Sequence, residues 1–141
     1  MKNRPSAQAD ELVNMAWGAR TRAYVPYSGF GVGAALLCAN GRIFTGCNVE
    51  NVSFGLTICA ERAAVTAAIT AGERSFTRIA IVADSREPIS PCGACRQVLA
   101  EFAPALAICS TNLRGQSFVS DLGELLPRAA TGILDRPSCS T

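Results

Sequence analysis

The chain has 141 residues, enough to close a hydrophobic core in one domain, and it is 49% hydrophobic with only 17% charged residues. The net charge of +2 is too small for a polyanion-binding surface, and no Lys/Arg cluster interleaves with aromatics, which removes nucleic acid as a partner. No apolar run approaches membrane-spanning length, and there is no histidine, the usual general base and the commonest metal ligand. In chain order, Ser6 is placed to cap a helix over residues 7–22, with Leu12, Met15, Ala16 and Ala19 on one face. A turn-rich stretch over residues 24–31 leads to a short apolar strand at 33–38. Asn40-Gly41 is a hairpin turn, and a second strand follows at 42–47. Residues 48–58 read as a loop. Residues 59–71 read as a buried helix stopped by Gly72, and 79–83 as a central strand. A loop over 84–91 enters a helix at 92–102. Then come a strand at 106–110, a turn at 112–116, a strand starting near Phe118 and a brief helix at 122–126. This alternation predicts one layered α/β domain over residues 1–141, with the sheet between helices and residues 135–141 as a frayed tail.

The polar first residues carry no signal segment, so the expected compartment is the cytoplasm, where seven cysteines point to metal binding, reactivity or burial rather than disulfides. Cys59-Ala60-Glu61 and Pro91-Cys92-Gly93-Ala94-Cys95 both fall where a loop enters a helix. Unpaired backbone N–H groups and the helix dipole there favour a thiolate, the form that zinc requires. Cys92 and Cys95 share one face of one helix start, and Cys59 opens another. Three such ligands leave a fourth position open, which marks catalytic rather than structural zinc. With no histidine, proton transfer falls to a carboxylate, and Glu61 is two residues from Cys59. Three thiolates give the cluster excess negative charge. Arg62 is the first candidate to offset it by hydrogen-bonding sulfur, and Arg96 is the second. Cys38, Cys47 and Cys109 are expected to be buried packing residues, and Cys139 a free thiol in the tail.

Four ordered blocks carry a resemblance: Phe30 to Ala35, Gly46 to Asn51, Cys59 to Arg62 and Cys92 to Gln97. Together they resemble the small, homotetrameric, zinc-dependent cytidine deaminases over residues 24–127. The resemblance implies a three-layer α/β/α sandwich around a central mixed five-stranded sheet. It implies one Zn2+ per subunit on Cys59, Cys92 and Cys95, with Glu61 as the proton carrier. Asn48 and Glu50 would bind ribose hydroxyls and Phe30 would pack near the nucleoside. The Ala60 backbone would hold the base O2, and the Ser90 carbonyl the exocyclic amine. The implied activity is deamination of cytidine and 2′-deoxycytidine in pyrimidine salvage. Two positions depart from the family pattern. Ala130 stands where an aromatic commonly follows Leu125-Leu126-Pro127, and Phe54 where a tyrosine is common.

Three other readings compete. A deaminase of another cytosine nucleoside, such as a blasticidin-type antibiotic, fits the same zinc motifs. A structural zinc module that binds a protein would unfold on chelation. A deaminase of nucleic acid needs the basic, aromatic-lined groove that this composition lacks.

Overall fold

The computed structural model describes residues 7–130. In chain order the elements are α1 (Ala7–Arg20), β1 (Val32–Cys38), β2 (Ile43–Cys47) and α2 (Ala60–Thr70). Then follow β3 (Phe76–Ala83), α3 (Gly93–Phe102), β4 (Ala107–Asn112), β5 (Ser117–Asp121) and α4 (Leu122–Leu125). The sheet order is β2-β1-β3-β4-β5. Only β3 and β4 pair in parallel; β1 pairs antiparallel with both β2 and β3, and β5 antiparallel with β4. A parallel pair needs a crossover, and α3 supplies it. Its N-terminus therefore starts just past the C-terminal end of β3.

The expected mixed five-stranded sheet between helical layers is present. Alternation along the central strands feeds both layers. Ala34, Leu36, Ile79, Ile81 and Ile108 pack with Val65, Leu99 and Leu122 beneath the layer of α2, α3 and α4. Ala35, Leu37, Ala80 and Val82 pack on the opposite face with Leu12 and Ala16 of α1. Two glycines let the helix backbones approach the sheet. A Cβ at Gly46 of β2 would collide with the Ala60 carbonyl oxygen and the Ala64 backbone nitrogen of α2. At Gly33 of β1 it would collide with the Ala16 carbonyl oxygen and the Arg20 nitrogen of α1.

Several boundaries differ from the sequence reading. The first helix ends at Arg20, and Thr21 and Arg22 form a turn. Met15 is 36% exposed, and Ala9 is buried instead, because the buried face follows Ala9, Leu12 and Ala16. The central strand starts three residues early, at Phe76, whose ring meets Phe102 edge-on at 5.7 Å. Gly72 does stop α2: at φ 96° its N–H bonds the Ile69 carbonyl, and the Glu73 N–H bonds Ala68. Cys38 is buried as expected, but Cys47 and Cys109 are only half-buried. Cys47 ends an edge strand. Cys109 pairs with the exposed Val119, on a part of the sheet that lies beyond the cluster packed against α1. Ser6, Cys139 and the tail at 135–141 lie outside the described residues.

Candidate active site

Cys59 and Cys92 are the N-cap residues of α2 and α3, both in extended conformation, at φ −73°, ψ 154° and φ −65°, ψ 165°. The Cys92 sulfur accepts the Cys95 N–H at 3.5 Å, a cap that also brings the two sulfurs of α3 together. The sulfurs of Cys59, Cys92 and Cys95 all lie within 4.8 Å of one another, and those of Cys59 and Cys92 are 3.8 Å apart. Zinc–sulfur bonds of about 2.3 Å at a tetrahedral angle place two sulfurs roughly 3.8 Å apart, the separation found between Cys59 and Cys92.

At Cys59 the electrostatics suit the same ion. A hydrogen bond from Cys95 and another from Arg62 hold the Cys59 thiol down at about 5, against the opposing effect of burial. The Cys95 thiol is pushed up by that bond to Cys59, by burial and by the Glu61 charge. Arg62 Nη2 donates to the Cys59 sulfur at 3.5 Å and to the Thr57 carbonyl at 3.3 Å, and its Nε is a buried donor with no partner. Glu61, in the first turn of α2, is 4% exposed. Burial, reinforced by the Cys59 charge, pushes its carboxyl above the usual carboxylate range.

A second group of residues meets this one through short backbone pairings. Val49 exchanges two hydrogen bonds with Ile58, next to Cys59. The Asn48 carbonyl accepts from Tyr24, and Glu50 N–H donates to the Tyr24 carbonyl. The side chains continue the pattern. Asn48 Oδ1 accepts the Val32 N–H at 2.8 Å, while Nδ2 donates to the Phe30 carbonyl at 2.8 Å. Glu50 Oε1 accepts the N–H groups of Tyr27 and Ser28 at 3.0 and 3.1 Å. These bonds, with one from the Ser28 hydroxyl as the largest influence, hold the Glu50 carboxyl below its ordinary range. A concave pocket of about 430 Å3 is lined by Tyr27, Ser28, Glu50, Phe54 and Thr57, with the Tyr27 and Phe54 rings edge-on at 5.6 Å.

The sequence model of the cytidine and deoxycytidylate deaminase zinc-binding region matches residues 6–111. A cytidine deaminase of Sporosarcina psychrophila is 49% identical over 121 residues, covering 85% of this chain and 89% of that protein. The chain belongs to the cytidine and deoxycytidylate deaminase family. Among solved structures, the cytidine deaminase of Burkholderia pseudomallei superposes with a TM-score of 0.83 at 50% identity, over 85% of this chain and 97% of that one. The cytidine deaminase of Mycobacterium tuberculosis gives 0.75 at 45% identity, over 86% and 95%.

Within this deaminase, the expected site residues occupy distinct settings. Cys59, Cys92, Cys95 and Arg62 converge, and Ala60 is fully buried behind them. Phe30 is 37% exposed, and Ser90 lies two residues before Cys92 at an exposed position. Arg96 departs from expectation. It reaches no sulfur, because its guanidinium is taken by the Pro91 carbonyl, the Ser90 hydroxyl and the Leu125 carbonyl. Tyr27, Ser28 and Thr57 were not singled out in the sequence. The first two donate backbone N–H groups, which every residue but proline carries, to Glu50, so that part of their role gave no signal; the Ser28 hydroxyl also acts on Glu50.

Proposed function

We propose that this chain is a hydrolase that converts cytidine and 2′-deoxycytidine, with water, to the uracil nucleosides and ammonia in pyrimidine salvage. The observation that carries this reading is a buried Glu61, its carboxyl pushed above the usual range by burial, beside three thiols grouped as a candidate metal site. Zinc on Cys59, Cys92 and Cys95, when bound, supplies an activated water. Glu61 takes one proton from that water and delivers it to ring N3, then carries the second, from the hydroxyl added at C4, to the amine, which leaves as ammonia as the C4 carbonyl forms. Its raised proton affinity suits a group that must both accept and give. Arg62 offsets the charge of the thiolates.

The pocket residues take the rest of the substrate. Asn48 spends one amide hydrogen on Phe30 and keeps a second for a ribose hydroxyl. Glu50 anchors one oxygen on Tyr27 and Ser28 and offers the other to the sugar. A site built to pair with hydroxyls discriminates against a free base, which leaves those groups unpaired. The Ala60 backbone holds O2, the Ser90 carbonyl holds the exocyclic amine, and Phe30 packs against the nucleoside. The whole chain acts as one catalytic domain in the cytoplasm. We assign a homotetramer from the resemblance to the small, tetrameric cytidine deaminases; Val52, Phe54 and Leu56, 79%, 72% and 66% exposed, form an apolar patch that suits burial against another copy.

The test combines metal analysis with ultraviolet assay of cytidine turnover by the wild type and Glu61→Gln. A zinc-loaded wild type that leaves cytidine untouched refutes the reading.

A further inference from the structure

Arg96 follows Cys95 directly, yet its fork faces away from the sulfurs. Nε donates to the Pro91 carbonyl at 2.7 Å, Nη2 to the Ser90 hydroxyl at 2.8 Å and Nη1 to the Leu125 carbonyl at 2.8 Å. No carboxylate pairs with it among the described residues; the ion pair found there joins Arg42 to Glu73. A half-buried guanidinium thus spends three directional donors on two short stretches of chain. One is Ser90-Pro91, the two residues that lead into the Cys92 cap. The other is the last turn of α4, whose terminal carbonyls have no helical partner. The neighbouring Gln97 adds a bond from Nε2 to the Ala130 carbonyl at 3.2 Å.

We propose that Arg96 is a positioning residue: it fixes the Ser90-Pro91 stretch against α4 and so aims the Ser90 carbonyl and the Cys92 sulfur into the site. This rests on the functional reading above. Two of its bonds, to the Ser90 hydroxyl and the Pro91 carbonyl, hold the peptide from either side while leaving the Ser90 carbonyl to the substrate. The third uses α4 as a fixed post, because Leu122 of α4 is fully buried in the core and Asp121 caps its N-terminus. A lysine keeps the charge but presents a single ammonium and cannot span all three acceptors.

The test loads wild type, Arg96→Lys, Ser90→Ala and the double variant with Co2+, and records metal stoichiometry, the cobalt–thiolate absorption spectrum, melting temperature, and kcat and KM for cytidine. The expected result is full cobalt loading of Arg96→Lys with an altered thiolate spectrum and kcat/KM lower by about 10- to 100-fold, the usual effect of removing a partner that orients a metal ligand. Ser90→Ala moves both in the same direction but less, and adds nothing to Arg96→Lys. A wild-type spectrum with kcat/KM within about twofold overturns the positioning role, even if the melting temperature falls, since that is what a merely structural arginine gives. If Arg96→Lys does not fold, Ser90→Ala decides alone by the same two readouts. A wild type that neither holds cobalt nor turns over cytidine overturns the functional reading and this role with it. A wild type that does both beside an unchanged Arg96→Lys overturns the positioning role alone.

Discussion

Cys59 and Cys92 hold the same place in two different helices: each is the N-cap, each is extended, and their sulfurs are 3.8 Å apart. Two helix N-termini therefore point their unpaired N–H groups and partial positive charge at one spot. That arrangement stabilises thiolates in a chain that has no histidine to share the ligand work.

Zinc loading should release protons. Cys95 is held in its protonated form in the metal-free protein, and zinc takes thiolates. Calorimetry at neutral pH in buffers of different ionisation enthalpy should give at least one proton per zinc, and zinc affinity should weaken as the pH falls. A titration with no proton release would contradict the three-thiolate assignment.

Glu61→Gln should retain zinc and lose at least about 100-fold in kcat, the lower end of what positioned acid/base catalysis contributes. The same substitution should stabilise the metal-free protein at neutral pH. The Glu61 carboxyl is raised by burial, so its protonated form suits the fold, and stability is lost as pH rises through the raised value. The gain in melting temperature from Glu61→Gln should therefore be present at neutral pH and vanish in acid.

Glu50→Gln should raise KM for cytidine more than it lowers kcat. The amide oxygen can still accept from Tyr27 and Ser28, so the loop survives, while the charge held ready for the sugar is gone. An increase of about tenfold corresponds to one lost hydrogen bond to a charged group. Steady-state kinetics on cytidine check this; an unchanged KM would remove Glu50 from the sugar site.

Gly46→Ala should damage the site from a distance. The added methyl meets the backbone of α2 at Ala60 and Ala64, not a flexible side-chain tip. The helix must move, and Cys59 and Glu61 move with it. Overpacking of this kind costs about 1–3 kcal/mol. Thermal unfolding together with zinc stoichiometry should show both properties reduced.

The sequence made some of this readable and hid the rest for physical reasons. Cys92 and Cys95 were legible as a pair because their spacing puts both on one face of a helix start, and Cys59 and Glu61 because they open another; that the two helix starts meet was legible only through the family resemblance. The hairpin at Asn40-Gly41 and the stop at Gly72 were legible because both glycines adopt positive φ, 89° and 96°. Arg96 was not, since its partner Leu125 is 29 residues away and offers only a carbonyl. Nor was the exposure of Cys109, because it depends on how far α1 extends over the sheet, which no local pattern encodes. Met15 fell off the buried face because its helix turns a different stripe, through Ala9, toward β1.

Asn48 and Glu50 are already bound to Phe30, Val32, Tyr27 and Ser28 before any ligand arrives. Folding itself orients both side chains, so under the proposed function a nucleoside meets polar partners that are already placed. Its binding should then carry little side-chain ordering entropy, and its affinity should depend on how well its hydroxyls match a fixed template rather than on how far the protein can adapt.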